Sequence, residues 1–80
     1  MNTEWLRHYV DELEYHLINF REIRDMSKQN HQKRVSLVVD PERRALLIKE
    51  HLARNERQEK SIAIMEKLQK EALNRLLNPE

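Results

Sequence analysis

The chain has no glycine, no cysteine, two prolines and four aromatic side chains in eighty residues. Ordinary domains carry about 7% glycine, and its absence excludes glycine-rich phosphate loops, dinucleotide fingerprints and type I′ hairpin turns. Lack of cysteine excludes disulfides, thiolate zinc sites and a cysteine nucleophile, and leaves no thiol clue to a redox compartment. Long apolar runs are also missing. The longest, Ala45-Leu46-Leu47-Ile48 and Ile62-Ala63-Ile64-Met65, fall far short of the roughly 20 residues a membrane span needs. No signal-peptide core stands at the N-terminus, so the cytoplasm is the expected compartment and no membrane partner is expected. The only serines are Ser27, Ser36 and Ser61, and the four histidines are scattered. No nucleophile, base and orienting group recur at a catalytic spacing, so neither an enzyme nor a cofactor is expected.

Charge is abundant but balanced: 15 Lys and Arg stand against 14 Asp and Glu, a formal net charge of +1. Charged residues make up 36% of the chain and hydrophobic ones 39%, with a mean hydropathy of −0.92. The length suits one small domain, residues 1–80. A chain this short buries only about 60–65% of its unfolded surface and commonly needs a staple or a partner. With disulfides excluded and no metal set evident, a homodimer or higher homo-oligomer is expected.

Helical periodicity dominates the first third. Leu6, Val10, Leu13, Leu17 and Phe20 recur at alternating spacings of four and three, a heptad seam that no strand can use. Trp5, Tyr9, Ile23 and Met26 widen the seam into a stripe. Thr3 can cap this helix, and Arg7 with Asp11 and Arg21 with Asp25 can pair along it. A long amphipathic helix is expected over about residues 3–29. His8, Glu12 and His16 stand at i, i+4, i+8, a spacing open to a metal. However, two histidines and one carboxylate lack a fourth ligand, so Glu12 paired with a histidine and His16 in the apolar stripe is preferred. No metal site is expected.

From Lys28 to Arg34 no seam residue occurs, so the helix should end there. Residues 35–39, Val-Ser-Leu-Val-Val, are mostly β-branched and precede Asp40-Pro41. Proline at the first helical position with a capping Asp is a start signal, and proline keeps Asp40 extended. An extended segment is therefore expected at 35–39, either paired with a second copy or covering the end of a bundle.

Beyond the proline the apolar face shifts. On a straight helix, Ala45, Ile48 and Leu52 lie about a third of a turn from Ile62, Met65, Leu68, Ala72 and Leu76 at about 100° per residue. Eight polar residues, 54–61, separate the two sets. Two arrangements fit: a helix at 41–54, a turn and a helix at 61–77, or one bent helix. Asn55, Gln58 and Ser61 can cap a new helix, whereas the missing glycine disfavours a tight turn. Glu66 with Lys70 and Glu71 with Arg75 can support the last helix, which Asn78-Pro79 would close. The fold class expected is mainly α.

The order of extended segment, proline-started helix, polar turn and helix resembles the ribbon-helix-helix DNA-binding domains. The resemblance covers residues 33–77 and rests on Lys33-Arg34-Val35-Ser36-Leu37-Val38-Val39-Asp40-Pro41-Glu42, Ala45, Ile48, Leu52, Ala53, Ser61, Ile64 and Leu68. It implies a two-copy ribbon entering the major groove, with Arg34, Ser36 and Val38 facing DNA and Lys60 and Ser61 at a phosphate. The inter-helix glycine usual in that family is absent, and Val38 stands where a polar reader is usual. Residues 21–44 carry seven Lys and Arg against four Asp and Glu.

The residues themselves favour a different function, a non-enzymatic helical interaction module of adaptor, chaperone or inhibitor type. Its self-association and protein-capture surfaces would be Leu6, Val10, Leu13, Leu17, Phe20, Ile62, Met65, Leu68 and Leu76. A dimeric DNA-binding regulator reading through residues 34–39 is the alternative.

Overall fold

A computed structural model describes residues 3–78. Two helices fill it, α1 (Glu4–Leu37) and α2 (Pro41–Leu77). They pack as an antiparallel hairpin 61 Å long and 15 by 13 Å across. The mainly α class is as expected, and no described residue is in a strand.

Three local readings change. α1 runs through the polar stretch to Leu37, so residues 35–37 are helical rather than extended. Nothing in residues 28–37 breaks a helix, and the propensity cost of valine is only a few tenths of a kcal/mol. The extended backbone is confined to residues 38–40, where Pro41 disfavours the helical region at Asp40 (φ −68°, ψ 120°). Of the two arrangements open for the second half, the turn at 54–61 is absent and the single helix holds: α2 is one continuous helix of 37 residues. These eight residues are mostly strong helix formers without Gly or Pro, and Lys60 pairs with Glu56 at 3.2 Å along the helix. At its other end α1 begins after Thr3, whose side chain makes no capping hydrogen bond.

The turn is secured by polar contacts. Asp40 caps α2, its carboxylate accepting from the Glu42 N–H at 3.2 Å. The Arg44 guanidinium donates twice to the Val38 carbonyl, at 3.2 and 2.8 Å. Asn78 ends α2, its N–H donating to the Asn74 carbonyl; Pro79, the expected stop, lies outside the described residues.

One seam joins the helices. On α2 the covered positions after Leu47 are His51, Asn55, Gln58, Ile62, Met65, Gln69, Ala72 and Leu76. From His51 onward their spacing alternates four and three without interruption, a heptad seam that passes straight through the polar run. On α1 the covered set includes Leu6, Val10, Leu13 and Leu17, then Arg21, Arg24, Ser27, His31 and Val35. The seam is therefore apolar near the chain ends and polar near the turn. Among the described residues, Leu6, Leu13, Leu17, Ile62 and Ala72 are the buried apolar ones, and of these Leu17 alone is fully enclosed. In the polar half the Asn55 Oδ1 and Gln58 Oε1 acceptors are buried without a hydrogen-bond partner.

Leu17→Ala is expected to cost about 2–5 kcal/mol in urea unfolding, through lost transfer energy and the cavity left behind. Asn55→Leu is expected to act the other way. It replaces an unsatisfied acceptor with apolar volume and should raise stability by about 1–3 kcal/mol in the same assay.

Candidate functional site

Heptad geometry gives the hairpin two edges with different chemistry. With a and d in the seam, positions e and b lie to one side of it, and g and c to the other. In an antiparallel pair, e meets e and g meets g. The e edge is ionic. Arg21 crosses to Glu66 at 3.3 Å, Arg24 crosses to Glu59 at 3.3 Å, and the Gln69 amide donates to the Glu14 carboxylate. Arg21 thus reaches across the hairpin instead of pairing with Asp25, which binds Arg24 at 3.2 Å. The Asp25 hydrogen bond, helped by Glu59, holds the Arg24 pKa above its ordinary value against some desolvation.

The g edge has two regions. Over residues 5–26 of α1, Trp5, Tyr9, Ile23 and Met26 occupy c and g positions, interrupted by Glu12, His16 and Asn19 at the same kind of position, and Phe20 stands at the seam margin. Ile64 and Leu68 occupy the c and g positions of α2 on the same side. All seven are exposed, Trp5 by 60% and Ile64 by 61%. Towards the turn this edge becomes a trough of about 460 Å³ lined by Ser27, Asn30, His31, Lys33, Arg34, Leu47, Glu50, His51 and Arg54. At its floor the His31 and His51 rings stack face to face, 3.9 Å apart and within 5° of parallel. Desolvation pushes His51 below the ordinary imidazole range, and the charges of His31, Arg54 and Lys28 push it further.

The residues expected at an interface divide between these surfaces. Leu6, Leu13, Leu17 and Ile62 are buried within the hairpin, and Val10, Met65 and Leu76 are half-covered there. Phe20 and Leu68 remain exposed, at 38% and 39%. The other apolar face of α2 is open too, with Leu52 62% exposed and Ile48 and Leu46 also exposed.

The residues assigned to DNA by resemblance are not gathered into one surface of the expected form. Arg34 and Ser36 lie on the last turns of α1, where the Ser36 hydroxyl donates to the Lys33 carbonyl at 2.7 Å. Val38 is half-covered in the turn. Lys60 and Ser61 sit inside α2, so no helix N-terminus is present there to hold a phosphate. His8 pairs with Glu12 at 3.0 Å, whereas His16, at the g position between Tyr9 and Ile23, is exposed and lies edge-on to Tyr15 without a core contact. No group of three metal-ligating side chains occurs among the described residues.

Two features escaped sequence reading. Asn55, Gln58 and Gln69 hold seam positions at heptad spacing, a signal hidden when only apolar residues are tracked. The meeting of His31 with His51 has no local signature, because it depends on hairpin register. Among the described residues, no helix is long and apolar enough to cross a membrane. The chain matches no protein-family model, no curated protein and no solved structure.

A lowered folded-state pKa at His51 means the unfolded chain takes up that proton first as pH falls. The stability it contributes is present above the unfolded value of about 6.5 and is lost as pH drops through the folded value. Urea titrations from about pH 8 to 5 should show the loss, and His51→Gln should flatten it. Equal pH slopes for the two proteins would contradict the assignment.

Proposed function

We propose that the chain is a non-enzymatic helical interaction module that associates with a second copy and captures a protein partner through its remaining apolar helix face. The observation that carries this reading is the division of apolar side chains. Five apolar residues are buried, while large ones along the g edge and on the early part of α2 stay in water. A two-helix hairpin gives each helix one neighbour, so it has no second layer to cover them. Contiguous exposed apolar patches of this kind mark interaction sites.

A second copy suits the g edge. Trp5, Tyr9, Phe20 and Ile23 on α1 and Ile64 and Leu68 on α2 form a stripe that two-fold symmetry sets against itself, as isologous contacts require. The result is a four-helix arrangement in which each stripe gains the missing layer. Ala45, Ile48 and Leu52, displaced around α2, stay outside that contact and offer an i, i+3, i+7 set to a partner helix. Adaptor, chaperone and inhibitor roles all use such a surface. The DNA-binding alternative requires more rearrangement, since residues 35–37 would have to leave α1 before a two-copy ribbon could pair.

Sedimentation equilibrium at tens of micromolar tests the reading. The expected mass is twice the 9.8 kDa of one chain. Ile23→Asp with Leu68→Asp should return it to one chain with helical circular dichroism retained, while Leu52→Asp should leave the dimer intact. A wild-type species of single-chain mass would refute self-association. Loss of helix signal with gain of strand signal on adding duplex DNA would favour the ribbon alternative.

A further inference from the structure

The basic trough at the turn end carries an inference independent of self-association. Elsewhere on the hairpin, cations at the seam are neutralised: Arg21 by Glu66, Arg24 by Asp25 and Glu59. Arg44 is committed to the Val38 carbonyl. One layer further towards the turn this pattern stops. Lys33, Arg34 and Arg54 line the trough, and none has an ion-pair partner among the described residues. The sole carboxylate in the lining is Glu50, one helical turn before Arg54 and not bonded to it. The stacked His31 and His51 rings add two imidazoles to the same concavity.

We propose that this trough is a binding site for phosphate-type polyanions, with Lys33, Arg34 and Arg54 neutralising the ligand and the two imidazoles donating to it. Arginine forks match phosphate oxygens in geometry as well as charge. Ser27 and Asn30 on the same wall supply neutral hydrogen-bonding groups. A space of about 460 Å³ exceeds what one phosphate fills, so a chain of two or three phosphoryl groups suits the number of cations better.

Proton linkage follows from the surroundings of His51. Facing it are His31 and Lys28 from α1 and Arg54 from α2, all raising the positive potential; Arg34 and Lys33 from α1 and Glu50 from α2 complete the charged lining. In the empty trough this potential disfavours the imidazolium. A bound polyanion reverses its sign, so ligand and proton bind cooperatively and affinity rises on acidification.

The stripe proposed for self-association, residues 5–26 and 64–68, ends on the edge where the trough begins at Ser27, and the two share no lining residue. Failure of either reading therefore leaves the other standing. Two sources share the chemistry, a free oligophosphate and the phosphates of a nucleic acid backbone.

The test is an NMR titration of the full chain with sodium tripolyphosphate, against sodium chloride at matched ionic strength. Saturable shifts at His31, His51 and Arg54 are expected, with tighter binding near pH 6 than near pH 8, the interval in which imidazole charge changes. Arg54→Gln should weaken binding about tenfold or more, and Glu50→Gln should tighten it severalfold, a gain that misfolding cannot produce. Shifts reproduced by sodium chloride, shifts elsewhere on the hairpin, or an unchanged affinity in Arg54→Gln would overturn the site. A short DNA duplex run in parallel separates the sources. Shifts of the same three residues assign backbone phosphates, and their absence assigns free oligophosphate.

Discussion

Every feature of this hairpin depends on a single interhelical seam. Two helices side by side share one line of contact, and whatever lies off that line faces solvent. Along 61 Å of hairpin, Leu17 is the one fully enclosed side chain among the described residues. The enclosed leucines, Leu6, Leu13 and Leu17, lie in the half of α1 away from the turn, and the buried Ile62 and Ala72 lie in the corresponding half of α2. Apolar packing at the open end and hydrogen bonds at the turn thus hold opposite ends of the same structure.

The polar half of the seam has a different physical character. Arg24, Ser27 and His31 oppose His51, Asn55 and Gln58, and two of the amide oxygens have no partner. Such a stretch contributes less to stability than a leucine seam would, because each buried unsatisfied acceptor carries a desolvation cost. It also creates a concave region of mixed polar and cationic lining on the g edge. Stability concentrated near the chain ends and ionic chemistry near the turn are two consequences of one change in composition along the seam.

The two edges follow from the same geometry. Arg21 and Glu66 at matching e positions, with Arg24 of the seam reaching Glu59, draw the helices together and neutralise one side. The other side carries Trp5, Tyr9, Phe20 and Ile23, while Ile18 and Leu73 stay exposed on the ionic side. The aromatic residues of the g edge thus make it the greasier of the two sides.

Periodicity in the residues was enough to determine helical character on both sides of the joint, the amphipathic stripes and the proline-led start of the second half. These are local properties: i, i+3 and i+4 spacing, the Asp40-Pro41 start and the missing breakers act within a few residues. Polar runs at 28–34 and 54–61 misled because a helix needs favourable backbone propensity and not an apolar residue in every turn. Which positions share a covered seam, and which histidines touch, depends on how α1 and α2 align over residues far apart in the chain. Asn55 and Gln58 at the seam, Arg21 bound to Glu66 and the His31–His51 stack were therefore decided by tertiary packing alone, since only the antiparallel register brings those side chains within reach.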